Sequence, residues 1–132
     1  MTIIYTESEK LNNELEKLIE NSRAAYYTKY LLEEDNVDVV ILSVQNNKFE
    51  YEKLLFQLRK KNIRVILLLE DDMQKEMEIA IRLGIYDLII GRCKKEDILN
   101  MVKNKNNFSN IAEIYKKTYK VKEDLSLWVI KK

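Results

Sequence analysis

The stretch VDVVILSV, residues 37–44, decides the predicted fold of this chain. It is apolar for nearly its whole length, and four β-branched residues precede Leu42. Such a run is typical of a central parallel strand in a sheet that helices cover on both faces. In open parallel sheets, functional sites form at the edge where the carboxyl ends of the strands emerge. We therefore expect Ser43 to lie at the edge where a site would form.

Composition limits the classes of protein that this chain can belong to. Its 132 residues suit one domain, and 23 Lys and Arg against 22 Asp and Glu leave a net charge of only +1. No strong field therefore steers it toward nucleic acid or a membrane surface. No apolar run approaches the roughly 20 residues of a membrane-spanning helix. The single Cys93 excludes an internal disulfide framework, so we predict a cytoplasmic protein without a membrane span.

Two residue types are scarce enough to exclude particular sites. The chain has no histidine, which excludes histidine-based acid–base catalysis and histidine metal ligands. Gly84 and Gly91 are its only glycines. A Walker A loop or a GxGxxG turn needs more glycines, closer together. We therefore expect no nucleotide cradle, no bound cofactor and no metal site.

Apolar runs and helical spacing alternate along the chain. The runs predict strands at residues 2–6, 24–28, 38–44, 63–69 and 86–90. Apolar residues at helical spacing follow each run. The first two helices are predicted at residues 8–21 and 30–34. Three further helices are predicted to end at residues 59–61, at Gly84 and near Val102. Five β-α repeats of this kind predict a doubly wound parallel sheet with right-handed crossovers.

The repeat stops at residues 104–107, Asn-Lys-Asn-Asn, which predict a linker or a tight bend. An extra helix is predicted over residues 108–120 and a further strand over 125–130. We therefore divide the chain into a domain at residues 1–103 and an extension at residues 104–132. The extension is expected to lead into another domain.

The order and spacing of residues 2–103 resemble the receiver domain of bacterial response regulators. The stretch LGIYDLII at residues 83–90 is similar to the family's G-A-D-D-Y-I run before the fifth strand. The stretch VDVVIL at residues 37–42 is similar to its P-D-L-V-L-L run before the phosphorylated aspartate. The resemblance implies a five-stranded flavodoxin-like α/β fold with strand order 2-1-3-4-5. It also implies a role in two-component signal transduction.

The resemblance also implies a phosphorylation pocket, whose metal-binding and acceptor positions are altered in this chain. The family holds Mg²⁺ with an acidic pair after the first strand, where this chain has Thr6 and Glu7. One carboxylate is too few for an ion that takes an octahedral set of oxygen ligands. The family's phosphoacceptor aspartate is replaced by Ser43. A neutral hydroxyl without a neighbouring base is a poor substitute for a carboxylate nucleophile.

The remaining pocket positions are altered as well. The family senses the phosphoryl group with a Thr or Ser after the fourth strand, where this chain has Leu69. It pairs a lysine at the end of the fifth strand with the acyl phosphate, where this chain has Gly91, followed by Arg92 instead of the usual cis-proline. These changes predict a degenerate pocket and a pseudo-receiver. We also raise the hypothesis that Arg92 forms a salt bridge with Glu7 in place of the metal.

Three groups of residues each allow two interpretations. Ser43 is either a modified or ligand-binding hydroxyl, or a small residue that satisfies backbone groups at a strand end. Tyr26, Tyr27 and Tyr30 form either an interaction patch or half-buried strand residues. The lysines and tyrosines of residues 115–122 form either a nucleic-acid contact or a solvated linker helix. We favour the helix and expect no nucleic-acid partner, since the net charge of the chain is only +1.

The leading functional prediction is a non-catalytic protein-interaction domain. The resemblance implies that the signalling surface is formed by the fourth helix, the fifth strand and the fifth helix. In this chain these elements are expected within residues 74–103. We expect a homodimer through this surface, and the candidate contacts are Met77, Ile81, Ile85, Tyr86 and Met101.

The last residues suggest a context for that function. Receiver-like domains without the aspartate precede ParA-like P-loop ATPases in pilus-localisation proteins of the tight-adherence type. Residues 127–132 are similar to the approach to the first strand of such an ATPase. An attached or partner ATPase is therefore expected. The alternatives are a response regulator with atypical phosphorylation and a small-molecule sensor that uses the altered pocket.

Overall fold

The computed structural model describes residues 1–44, 51–70 and 74–119, with side chains described for residues 1–44, 51–70 and 75–113. The strands are β1 Thr2–Tyr5, β2 Ser22–Ala24, β3 Val39–Ser43, β4 Arg64–Leu69 and β5 Asp87–Ile90. The helices are α1 Glu9–Leu18, α2 Thr28–Glu33, α3 Tyr51–Lys60, α4 Gln74–Arg82, α5 Lys95–Lys103 and α6 Phe108–Tyr119.

All five strands are parallel and lie in the order β2-β1-β3-β4-β5, which confirms the predicted topology. The register aligns Tyr5 with Leu42, and Ser43 with Leu68. At the far end it aligns Leu69 with Ile90. The carboxyl ends of β1, β3, β4 and β5 therefore meet at one edge of the sheet. Ser43 lies at this edge, as the sequence predicted.

The sheet is buried on both faces, which explains why β3 and β4 are continuously apolar. On one face Leu42 and Leu67 pack in a cluster with residues of α2, α3 and α4, including Leu55. On the other face Ile41 and Ile66 pack with residues of α1 and α5. Fully burying one such side chain stabilises the fold by about 1.5–3 kcal/mol.

The second strand is shorter and earlier than predicted, at Ser22–Ala24 instead of residues 24–28. Helix α1 ends at Leu18, and the chain turns at Asn21, whose φ of 54° lies in the left-handed region that Asn tolerates. Only three residues therefore separate the strand from the helix. The strand ends at Ala24, before the first of the three tyrosines.

The interpretation of the three tyrosines as half-buried strand residues is therefore wrong. Tyr26 and Tyr27 follow β2 and are 55% and 70% exposed, and Tyr30 is 47% exposed within α2. Their aromatic β propensity did not set their conformation, because α1 and the turn at Asn21 fix where the edge strand pairs.

The start of the predicted extension packs against the body of the domain. Ile111 of α6 is 2% exposed and belongs to the cluster on the α3–α4 face. The Phe108 ring meets Tyr86 edge-on, with centroids 5.8 Å apart. Asn107 and Asn110 cap α6 by exchanging backbone-to-side-chain hydrogen bonds of 2.8 and 3.1 Å. The division at residue 103 stays a prediction, although this helix begins in contact with the preceding domain.

Two regions of the sequence prediction lie outside the described residues. They are the side chains of residues 115–122 and the predicted strand at 125–130. Within the described part of the chain, no helix is long and apolar enough to cross a membrane.

Candidate functional site

Ser43 and Glu7 come together at the carboxyl edge of the sheet. Ser43 is the last residue of β3, and Glu7 lies in the turn between β1 and α1. The backbone N–H of Glu7 donates a hydrogen bond to Ser43 Oγ over 3.2 Å. The hydroxyl therefore satisfies a backbone group at a strand end, as one of the two interpretations of Ser43 predicted.

Thr6 forms hydrogen bonds with residues at the start of α1. Its Oγ1 lies 2.5 Å from Asn12 Oδ1 and also accepts a hydrogen bond from the Ser8 N–H at 3.2 Å. The amide of Asn12 donates back to the Thr6 carbonyl over 3.3 Å. Both Thr6 and Asn12 are buried. The position that resembles half of an acidic pair therefore belongs to a local polar network that fixes the turn.

Asn12 is a residue of this edge that the sequence analysis missed. It is 1% exposed, although its side chain is polar. A signal was present, because Asn12 precedes Leu15 by three residues and Ile19 by seven, which places it on the apolar face of α1. A polar residue on a buried face needs a partner, which Thr6 supplies.

Leu69 at the end of β4 and Gly91 just after β5 supply no polar side chain to this edge. Leu69 is 2% exposed and lies in the core. Gly91 has a φ of 85°, in the region that favours glycine, and its N–H donates to the Leu69 carbonyl over 2.8 Å. The two strand ends are therefore joined by backbone, at the positions where the resemblance implies a hydroxyl and a lysine.

The hypothesis of a salt bridge between Arg92 and Glu7 is wrong. Both side chains are exposed, and among the described residues no ion pair joins them. Gly91 adopts a left-handed φ of 85° immediately before Arg92, so the chain bends at the end of β5. The altered pocket is therefore not closed by a cation from the end of β5.

Tyr51 is a second residue at this edge that the sequence analysis did not single out. It opens α3 and lies near Tyr5, Glu7 and Glu76. Burial first, and then the negative charges of the two glutamates, raise the pKa of Tyr51 well above its usual range. Burial also raises the pKa of Tyr5. Both phenols therefore stay protonated at neutral pH, so neither acts as a base toward Ser43.

In residues 1–44, 51–70 and 74–119, no three Asp, Glu, Cys or His side chains come together in a way that could hold a metal ion. Asp71 and Asp72, which follow β4, lie outside the described residues. The described edge offers Glu7, a neutral serine hydroxyl and protonated phenols. This is a set suited to hydrogen bonding.

The prediction of a surface contact is wrong for three of the five interface candidates, because their side chains are buried. Met77, Ile81 and Ile85 are 4%, 8% and 2% exposed and lie in the chain's own core. Met77 and Ile81 are four residues apart on the inward face of α4, so the spacing that marked them also buries them. Tyr86 and Met101 are half-buried, and Phe108 of α6 packs against Tyr86.

Comparison with known proteins places this fold. No protein-family model matches the sequence, and no curated protein matches it significantly. Among solved structures, it is similar to a CheY-like response regulator receiver domain protein from Methanospirillum hungatei, with a TM-score of 0.66 and 13% identity over 79% of this chain and 90% of that chain.

Two further structures give the same result. The receiver domain of NtrX from Brucella abortus has a TM-score of 0.63 and 16% identity, over 78% of this chain and 95% of that one. The receiver domain of the Francisella response regulator 1452 has a TM-score of 0.62 and 20% identity, over 77% and 92%. Together with the strand order, these likenesses show that the chain has the flavodoxin-like fold of response-regulator receiver domains.

Proposed function

We propose that this chain is a pseudo-receiver, a receiver-like interaction domain that takes no phosphoryl group and catalyses no reaction. The observation that carries the proposal is the hydrogen bond from the Glu7 N–H to Ser43 Oγ. It engages the hydroxyl of Ser43 in holding the β1–α1 turn. The chain has no histidine, and the phenols of Tyr5 and Tyr51 stay protonated, so neither kind of group can activate a serine nucleophile here.

The surroundings of Ser43 support the same proposal. A phosphoryl group brings two negative charges, which need cations or several aligned donors. Leu69 supplies an apolar side chain, Gly91 supplies none, and Arg92 is exposed at a distance from Glu7 that forms no ion pair. Glu7 would instead repel the incoming group.

Signalling without phosphate must then act through surfaces. We infer that the chain binds a protein partner, either a second copy through residues 74–103 or an attached or partner ATPase. Because Met77, Ile81 and Ile85 are buried, such a surface has to be built from the exposed side chains of α4 and α5 and from Tyr86 and Met101. A cytoplasmic location remains our prediction from the composition.

Intact-mass spectrometry after incubation with acetyl phosphate and Mg²⁺ tests the proposal. The wild-type chain is expected to gain no phosphoryl group. The Ser43→Asp variant restores the carboxylate and is also expected to stay unmodified, because Thr6, Leu69 and Gly91 still supply neither metal ligand nor cation. A receiver that carries the family's acidic pair and aspartate serves as the positive control.

The two samples separate the parts of the proposal. Modification of the wild-type chain would overturn it and favour a response regulator with atypical phosphorylation. Modification of the Ser43→Asp variant alone would show that the pocket is intact apart from its nucleophile, which contradicts the degenerate pocket proposed here.

A further inference from the structure

A cleft lies at the opposite edge of the sheet from Ser43. Arg64 begins β4 and Asp87 begins β5, so this edge is formed by the amino ends of the strands. The cleft has a volume of about 360 Å³ and is walled by the end of α3, the turn between α4 and β5, and residues 105–107 before α6. This volume falls within the roughly 300–1,000 Å³ of small-molecule sites.

The charges that line the cleft do not cancel. Three cations, Arg59, Arg64 and Lys105, face one carboxylate, Asp87. Asp87 Oδ2 lies 2.7 Å from Arg64 Nε, and its Oδ1 accepts a hydrogen bond from the Asn106 N–H at 2.7 Å. Asp87 and Arg64 therefore neutralise each other. Within the described part of the chain, Arg59 and Lys105 have no carboxylate at ion-pair distance.

The guanidinium of Arg59 is held in place by backbone. Its Nε donates to the Leu83 carbonyl over 3.2 Å and its Nη1 to the Ile63 carbonyl over 3.0 Å. These bonds connect the residue that follows α4 to the residue that precedes β4, which gives Arg59 a structural role. They use only two of the three guanidinium nitrogens. Among the described residues Nη2 has no hydrogen-bond acceptor, and it would lie 3.8 Å from a Cβ built on Gly84.

Gly84 keeps the approach to this nitrogen open. Its φ of 78° is one that other residues rarely adopt, and glycine also leaves the space beside Nη2 free of a side chain. Asn62 and Asn107 add amide groups to the wall of the cleft. The cleft is thus rich in hydrogen-bond donors and carries two uncompensated positive charges.

We propose that this cleft binds a small ligand through a phosphate group, with Arg59 Nη2 and Lys105 Nζ as its cationic donors. A guanidinium fixed by backbone loses little side-chain freedom on binding and suits an oxyanion in geometry as well as charge. Because Lys105 and Asn106 join α5 to α6, bound ligand would also brace the docked helix. The site is independent of the pocket at Ser43.

Amide chemical shifts of the ¹⁵N-labelled full chain test the site with inorganic phosphate as the probe. Ionic strength is kept constant by exchanging sodium chloride for phosphate. We expect saturable shifts at Gly84, Asn106 and Asn107. The Lys105→Glu variant, changed at an exposed side chain, is expected to weaken phosphate binding by about fivefold or more. Lys103→Glu, also exposed but outside the cleft, is the matched control and is expected to bind as the wild type does.

Shifts that do not saturate with phosphate would overturn the proposal. An equal loss of phosphate affinity in both lysine variants would also overturn it, because it would indicate a general charge effect instead of a site. Parallel titrations with AMP and adenosine test the chemistry that is recognised. We expect AMP to shift the same amides as phosphate and adenosine to leave them unchanged. Adenosine that binds as well as AMP would overturn the assignment to a phosphate group.

Discussion

The backbone N–H of Glu7 donates a hydrogen bond of 3.2 Å to the side-chain oxygen of Ser43, and this bond links the turn after β1 to the end of β3. The two residues are 36 positions apart in sequence, and only the parallel pairing of β1 with β3 brings them together. Ser43, at the position where the resemblance implies the phosphoacceptor, is therefore a structural part of this edge.

Replacing Ser43 by Ala tests that structural role. The Glu7 N–H would lose its acceptor at an exposed position, so water compensates in part and we expect a loss of about 0.5–1.5 kcal/mol in the free energy of unfolding. Urea denaturation measures the difference. Ser109→Ala, at an exposed position of α6, is the control and should change stability little. Equal effects of the two substitutions would show that the hydrogen bond stabilises nothing.

The ion pair between Arg64 and Asp87 should be far more costly to break than an exposed one. Arg64 also donates to the carbonyls of Met101 and Val102, so its guanidinium is fixed in a site where only 18% of its side chain and 4% of that of Asp87 are exposed. Asp87→Ala leaves this cation unpaired and also removes the acceptor for the Asn106 N–H. We expect a loss of about 3–5 kcal/mol in denaturant unfolding.

Glu78→Ala is the matched control for this substitution. It breaks an ion pair of similar length, 2.6 Å to Arg82, but the side chains are 43% and 66% exposed. An exposed pair four residues apart on a helix contributes about 0.3–0.5 kcal/mol. Similar losses in the Asp87 and Glu78 variants would contradict the structural importance assigned to the buried pair.

The docking of α6 predicts a cost for truncating Ile111. This side chain is 2% exposed in the core, and Ile→Ala at such a position costs about 2–5 kcal/mol. Chemical denaturation of Ile111→Ala should show this loss, whereas Glu113→Ala, at an exposed position of the same helix, should show little change. An Ile111→Ala variant as stable as the wild type would mean that α6 does not pack on the domain in solution.

Cys93 should be an unreactive thiol at neutral pH. Burial first, and then the charge of Asp97, raise the pKa of Cys93 from 9.0 to about 11. Its alkylation rate by iodoacetamide should therefore rise about tenfold per pH unit and level off only near pH 11. Because protonation is favoured in the folded state, the resulting stabilisation is complete below pH 9.0 and is lost as pH rises toward 11.

The charge contribution to this pKa has its own test. Asp97→Asn removes the charge but keeps an acceptor for the Lys94 N–H that caps α5, so alkylation below pH 11 should become faster. Glu96→Gln, at the neighbouring exposed position, should leave the rate unchanged. A rate that already levels off near pH 9 in the wild type would contradict the raised pKa.

The sheet was predictable because its signal is local. Each strand is a short apolar run, and the runs at β3 and β4 are continuous because both faces of the sheet are covered. The edge strand β2 was misplaced because only one neighbour pairs with it, and the turn at Asn21 sets its start. Propensity alone favoured the tyrosines that follow.

The site was predictable in position but not in its contacts. Strand ends located Ser43 and Glu7 at one edge, yet the bond between them depends on register, which sequence spacing does not give. The pairing of Arg92 with Glu7 was wrong, and sequence spacing did not reveal the left-handed bend at Gly91 that precedes Arg92. Met77 and Ile81 of α4 were assigned to a surface, but apolar residues at helical spacing more often face the core, as these two do.

The central claim is that the edge around Ser43 no longer accepts a phosphoryl group, and titration of the ¹⁵N-labelled chain with beryllofluoride and Mg²⁺ tests it most directly. Beryllofluoride mimics a bound phosphoryl group, so a working pocket would respond even if its phosphorylated form were short-lived. We predict no saturable shift at the amides of Glu7, Ser43 and Gly91. A saturable shift at these three amides that requires both Mg²⁺ and beryllofluoride would contradict the claim.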